Sequence, residues 1–335
     1  MIHLKTPRGL DVAVPEQLSE DPSSRFDCDA TQALKGYYEQ HGYVIVKGLI
    51  PPSHCDAIRK LWDTDVKPFR GYMYRQATAK AERHRFNGNG WVMNPILNLQ
   101  SVDPKHFAQF RRYATDNILA HAALRDVFSE FLGEPPKIVQ SMYFEGNSAT
   151  WEHQDSYYLD SECVGQMVAG WIAIEDIHPR AGRFFVCPGS QRMMLDDHGV
   201  LNNMAEHHDT YINSVVDNIR RNRLEIRAPV MDKGDVLFWN SRTIHGSLDS
   251  QDASHSRSSI TCHAIPKSRR FLQLQTRAVD IKTDSLNGAE IFRPKDLRSL
   301  KNRLVLGIES TFPTPFYWAK RKAMVRLVSS KQATR

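Results

Sequence analysis

The sequence predicts a mainly β domain with flanking helices, built as a sandwich or a barrel. Short β-branched and aromatic runs recur over 137–144, 168–174, 184–186, 224–228, 236–239 and 259–264. Turn residues separate them, among them Gly146-Asn147, Pro188-Gly189 and Lys233-Gly234-Asp235. Helical periodicity occurs before residue 137 and in one polar insertion over 193–222. Many short strands with regular turns are the signature of a two-sheet or closed β architecture.

Residues 1–29 are polar with scattered prolines and read as a loosely packed lead-in. A short helix over 30–40 ends before Gly42. Tyr43-Val44-Ile45-Val46, bounded by Gly42 and Gly48, is a buried strand. Pro51-Pro52-Ser53 opens a helix with Ser53 as its N-cap and Ile58, Leu61 and Trp62 on the apolar face. Residues 69–99 mix arginines with Tyr72, Tyr74, Phe86 and Trp91, and form a long functional loop or lid. A helix over 106–132 follows, with Phe107, Phe110, Ile118 and Leu119 at helical spacing and Gly133 as its stop. The chain thus divides into a lead-in (1–29), a main domain (30–265) and a C-terminal extension (266–335) packed on or beside the core.

Charge separates the extension from the rest. Residues 266–335 hold 16 Lys+Arg against 5 Asp+Glu, while the remaining residues hold 28 against 33. A basic extension suits an anionic partner or a subunit contact. No nucleic-acid motif accompanies it. No apolar run approaches the roughly 18 residues of a transmembrane segment, and the N-terminus lacks a signal-peptide core, so a cytoplasmic protein is expected. The five cysteines are widely spaced without a CxxC pair, which argues against disulfides or structural zinc.

Among 14 histidines, three His-x-Asp triplets occur: His54-Cys55-Asp56, His153-Gln154-Asp155 and His207-His208-Asp209. Residues i and i+2 of a strand share a face and can share a metal, whereas on a helix they diverge. The first triplet falls in a predicted helix and the third in the polar insertion. Only His153 and Asp155 lie in strand-rich territory. His245 arrives at a strand-like end beside Gly246 and supplies a third donor. Two imidazoles and a carboxylate occupy one face of an octahedron and suit Fe(II) chemistry with O2.

An open ferrous centre needs electrons to reduce O2, and a 2-oxoacid such as 2-oxoglutarate supplies them by decarboxylation. Its far carboxylate calls for a fixed, forked cation, a task arginine performs better than lysine. Arg257, 12 residues after His245 at the start of the next predicted strand, is the candidate.

At these residues the sequence resembles the phytanoyl-CoA dioxygenase (PhyH) family. The matching blocks, in order, are Gly42 to Gly48, His153 to Tyr158, Trp171-Ile172-Ala173-Ile174, and Gly182 to Gln191 with Pro188-Gly189-Ser190. Gly234 to Phe238, His245-Gly246-Ser247 and Arg257 complete the set. The resemblance implies a double-stranded β-helix (jelly-roll, cupin-like) core. It implies iron on His153, Asp155 and His245, and 2-oxoglutarate contacts from Arg257, Ser247, Trp171 and a strand residue near Met142. Halogenases of related type lack the carboxylate, so Asp155 points to hydroxylation. Motifs of ectoine hydroxylases around the first ligand are not matched.

Candidate contacts to a small, polar substrate are Gln140, Tyr143, Trp151 and Tyr157 beside the metal strand. Tyr72, Arg75, Trp91, Asn94 and Asn98 are candidates in the lid segment. Two alternatives stay open at this point: a cupin-like metalloenzyme that uses no 2-oxoglutarate, and a non-catalytic binding module of the same fold.

Overall fold

The computed structural model describes residues 1–146, 148–193, 204–273 and 277–332. Strands β1 (Ile2–Lys5) and β2 (Asp11–Val14) form an antiparallel hairpin. The expectation of a loose lead-in is therefore corrected: alternation along β2 buries Val12 and Val14 against Phe185, Ala228 and Leu248. The two-residue β3 (Arg25–Phe26) joins β4 (Tyr43–Val46) in parallel. Between them α1 (Thr31–His41) ends at Gly42, whose φ of 75° only glycine adopts cheaply. Helix α2 (Pro52–Leu61) starts one residue before the expected cap. Pro51 holds the N-cap position and Ser53 lies inside the first turn, because Pro52 lacks only an N–H that the helix end leaves unused.

The lid segment is pinned rather than loose. Strands β5 (Met73–Tyr74) and β6 (Ala81–Glu82) pair with each other, and β7 (Ile96–Leu97) pairs with β8 (Pro136–Phe144). The single helix expected over 106–132 is two, α3 (Pro104–Tyr113) and α4 (Ala122–Leu132). A wide π-helical turn over Ala114–Leu119 separates them, and in it the Thr115 hydroxyl donates back to the Arg111 carbonyl at 2.7 Å.

From β8 the chain runs through β9 (Thr150–His153), β10 (Leu159–Ser161), β11 (Val168–Ala173) and β12 (Phe184–Val186) to α5 (Met204–Asn222). It continues through β13 (Val236–Asn240), β14 (His245–Ser247), β15 (Ser259–Pro266), β16 (Phe271–Gln273) and β17 (Arg277–Val279). The last elements are β18 (Thr283–Leu286), β19 (Ala289–Phe292), α6 (Leu300–Thr311) and α7 (Pro313–Gln332). The expected strand over 224–228 is a single bridge, Val186 to Arg227. Pro229 follows at once and has no N–H to extend the ladder. Residues 194–203 of the predicted insertion, and Asn147, lie outside the described residues.

One large sheet has the order β18-β19-β8-β15-β11-β13-β4-β3, and a small one the order β12-β14-β9. The chain alternates between them. Strands β8, β11, β13 and β15 enter the large sheet, while β9, β12 and β14 enter the small one. This is the double-stranded β-helix. The period of two sorts the large sheet's residues onto two faces. Val44, Tyr143, Ile172, Phe238 and Ile260 face the helices, packed with Trp62, Phe110 and Phe128. Tyr43, Ala169, Trp171, Leu237 and Trp239 face the small sheet, packed with Phe184 and Val186. The C-terminal residues extend the same sheet, since β19 runs parallel to β8. No described helix is long and apolar enough to cross a membrane.

Candidate metal centre

Strand pairing delivers the first two donors. His245 on β14 lies directly opposite His153 on β9, so the two rings project from the same face, with centroids 4.3 Å apart. Asp155 follows β9 as the first residue of a short 3-10 turn, Asp155–Tyr157. The turn brings its Oδ1 to 3.6 Å from both His153 Nε2 and His245 Nε2. All three donor atoms lie within 4.8 Å of one another, and all three residues are buried. The other two triplets sit in helices α2 and α5, and His54 is bound at Nδ1 to the Tyr113 hydroxyl at 2.7 Å.

Hydrogen bonds set the state of each ligand. His153 Nδ1 faces the Trp151 carbonyl at 2.8 Å, and His245 Nδ1 faces the Thr243 carbonyl at 2.9 Å. A carbonyl only accepts, so each Nδ1 carries the proton and each Nε2 presents its lone pair to the centre. Burial pushes the His245 imidazole down to about 3, which keeps it neutral. Burial alone would push the Asp155 carboxyl up. The charge that His245 and His263 carry when protonated outweighs it and, with hydrogen bonds to His153 and His263, holds the carboxyl well below its usual range. Asp155 Oδ2 accepts from the Trp239 indole N–H at 2.8 Å, with His263 Nε2 at 3.3 Å, and this leaves Oδ1 to the centre. Neutral imidazoles and an oriented carboxylate fit a ferrous ion.

A second feature lies along the inner face. Phe184 is 5.4 Å from the His245 ring and stacks on Trp171 at 5.9 Å. The Arg257 guanidinium stands 6.0 Å over Trp171 and 5.5 Å over Phe144. Arg257 is 2% exposed; its Nη1 donates to the Gly182 carbonyl at 3.1 Å, and its Nε has no partner. Among the described residues no carboxylate forms an ion pair with it, and burial pushes its pKa down to about 9. A buried cation without a counter-charge costs several kcal/mol. A dicarboxylate such as 2-oxoglutarate bound at this site would bring Arg257 a counter-charge, so the residues present fit it. Met142, Thr261 and Trp171 share one register row on the inner face. Ser247 is buried on β14 opposite Phe184, and its hydroxyl accepts from Thr150 N–H at 3.0 Å.

The expected substrate contacts divide. Gln140 lies opposite His263 on the inner face. Trp151 is exposed, edge-on to His208 at 5.3 Å. Tyr143 is not brought to the site: it is one residue out of phase, on the helix side, stacked on Trp62 at 4.2 Å. Tyr157 likewise stacks on Tyr211 of α5 at 3.6 Å. Its neighbour Tyr158 is the one beside the metal ligand, 5.7 Å from the His153 ring with its hydroxyl 2.8 Å from His208 Nε2. Arg75, Asn94 and Asn98 are consumed by the backbone. Arg75 donates to the carbonyls of Glu82 and Asn94, and the Asn94 amide spans Arg83 and Arg85. Asn98 Oδ1 accepts from Ser141 N–H at 3.3 Å. Tyr72 and Asn98 border a separate cavity of about 270 Å³ beneath α6, lined by none of the metal-site residues. Trp91 donates its indole N–H to the Ser254 carbonyl at 3.3 Å.

Trp239, His263, Tyr158 and Phe184 were not singled out from the sequence. Strand parity would have aligned Trp239 with Leu237, but nothing local says which face of β13 is the inner one.

Comparison with known proteins agrees with this geometry. The phytanoyl-CoA dioxygenase (PhyH) family profile matches residues 38–258. The human peroxisomal phytanoyl-CoA dioxygenase is 22% identical over 312 residues, covering 88% of this chain and 82% of that protein. Phytanoyl-CoA dioxygenase domain-containing protein 1 of Danio rerio is 23% identical over 258 residues, covering 65% and 84%. Among solved structures, the non-heme alpha ketoglutarate dependent carbocyclase SnoK superposes with a TM-score of 0.53 at 14% identity, covering 74% of this chain and 89% of that one. EctD from S. alaskensis with 2-oxoglutarate and 5-hydroxyectoine gives 0.51 at 16% identity, covering 86% and 98%. These two likenesses establish the fold. Because the family profile spans most of the chain, this protein belongs to the phytanoyl-CoA dioxygenase (PhyH) family of Fe(II)- and 2-oxoglutarate-dependent oxygenases.

Proposed function

We propose that this chain hydroxylates a small, polar molecule, with 2-oxoglutarate and O2 as co-reactants and succinate and CO2 as by-products. The observation that carries the reading is the buried His153, Asp155 and His245 cluster, joined through Phe184 and Trp171 to a buried arginine that has no counter-ion among the described residues. Fe(II) with bound 2-oxoglutarate supplies O2 activation coupled to decarboxylation. The chain supplies the rest. Each Nδ1–H bond to a backbone carbonyl holds its imidazole in the tautomer that leaves Nε2 free. Trp239 holds the Asp155 carboxylate, Arg257 takes the far carboxylate of the cosubstrate, and Trp171 and Phe184 keep water from the space between. We assign substrate contact to Gln140, opposite His263 on the inner face, and to Tyr158, His208 and Trp151, which cluster beside the His153 ring. Asp155 retains the carboxylate ligand, which favours oxygen insertion over halide transfer. A cupin-like enzyme without a 2-oxoacid would have no use for a desolvated Arg257.

Succinate release with Fe(II) and ascorbate over a panel of polar metabolites tests the reading. Arg257→Ala is expected to raise the KM for 2-oxoglutarate by at least about tenfold, from loss of a buried charge pair. Unchanged turnover of that variant at low cosubstrate would overturn the cosubstrate assignment.

A further inference from the structure

We infer that the outer face of α6 and the start of α7 dock on an anionic lipid surface. Leu300, Leu304, Ile308 and Phe312 follow one another at four-residue spacing and are 64, 59, 54 and 60% exposed. Trp318 is 62% exposed. Water-facing rows of large apolar side chains mark interaction surfaces. The row cannot turn inward, because the other side of α6 is already committed. There Arg303, Leu306, Gly307 and Ser310 line the 270 Å³ cavity. Buried Glu309 accepts from the Tyr74 hydroxyl at 3.0 Å and from Ala81 N–H at 3.1 Å, and also from the Tyr317 hydroxyl.

Charge identifies the occupant. Residues 300–335 carry eight Lys+Arg against one acid, and that acid is the buried Glu309. Lys322 Nζ stands 3.8 Å over the Trp318 ring. An exposed indole beside lysines and an arginine suits the headgroup boundary, where the ring enters the apolar layer and the cations meet phosphates. A second copy fits poorly, since an isologous contact would press two such basic faces together. The row also winds. Four residues overshoot a helical turn by about 40°, which a fluid surface accommodates and a straight protein groove does not.

Cosedimentation of the full chain with phosphatidylcholine vesicles, alone and mixed with phosphatidylserine, tests the inference. Binding is expected only to the mixed vesicles, weakening as salt rises. It should drop about tenfold both in Leu304→Gln/Ile308→Gln and in Arg321→Glu/Lys322→Glu. These sites lie on the surface, and near-ultraviolet circular dichroism checks that the fold is kept. No preference for anionic vesicles, or wild-type binding by either double variant, overturns the inference. So does a solution dimer that Leu304→Gln/Ile308→Gln dissociates. Neither iron nor cosubstrate is needed, so the outcome is independent of the proposed activity.

Discussion

Asp155 is oriented chiefly by the Trp239 indole, with the His263 ring as a longer second contact. Trp239 packs against Phe184 at 4.8 Å and against the His245 ring at 5.0 Å, while its N–H bonds Oδ2. Trp239→Phe keeps most of that packing and removes only the donor. The carboxylate then gains rotational freedom, and iron affinity is expected to fall about 10- to 100-fold. Titration of Fe(II) against the apoprotein measures this. An unchanged affinity would mean that His263, at 3.3 Å, holds the carboxylate by itself.

At the scale of elements, two buried carboxyls organise the segments around the centre. Asp160 in β10 accepts from the N–H groups of Ser161, Gly165 and Met167 and from the Ser241 hydroxyl. Burial pushes its pKa up to about 6, against those hydrogen bonds. The unfolded chain ionises this group near 3.8, so the folded state binds more protons between the two values. The contribution of Asp160 is therefore fully present below the lower value and is lost as pH rises through about 6. It amounts to about 3 kcal/mol. Urea midpoints for wild type and Asp160→Asn should show the wild type losing stability relative to the variant across that window. Glu145 acts on the lid: it accepts from Lys67 Nζ at 2.7 Å and from Val92 N–H at 2.7 Å. Glu145→Ala should speed hydrogen exchange over residues 69–98 while leaving β11 and β13 protected. Unchanged exchange there would show that Arg75 and β7 secure the lid without it.

At the scale of the molecule, α6 is secured to the lid hairpin β5–β6 through Glu309. Glu309→Ala leaves the buried Tyr74 hydroxyl unpaired, with Ala81 N–H keeping only the Tyr317 hydroxyl at 3.4 Å, and is expected to cost about 2 kcal/mol. Limited proteolysis should then cut within α6 before the β-core opens. A core that opens together with α6 would show that the C-terminal helices are part of the same cooperative unit.

The local chemistry of the chain settled a good deal by itself. Short β-branched and aromatic runs bounded by turn residues marked β4, β8, β11, β13 and β15, and strand spacing selected His153 and Asp155 over two helical triplets. Motif order along the chain pointed to His245 and Arg257. Only the tertiary structure decided which face of each strand lies inside. Alternation tells which residues share a face, but the layer packed on that face is supplied by residues far away in sequence. Gln140 and Tyr143, three residues apart on β8, must lie on opposite faces, but only the packed layers show that Gln140 is the one inside and that Tyr143 stacks on Trp62. Hydrogen-bond saturation is decided by folding as well. Arg75, Asn94 and Asn98 are polar in any alignment of letters, and only the folded backbone reveals that its own carbonyls and N–H groups occupy them.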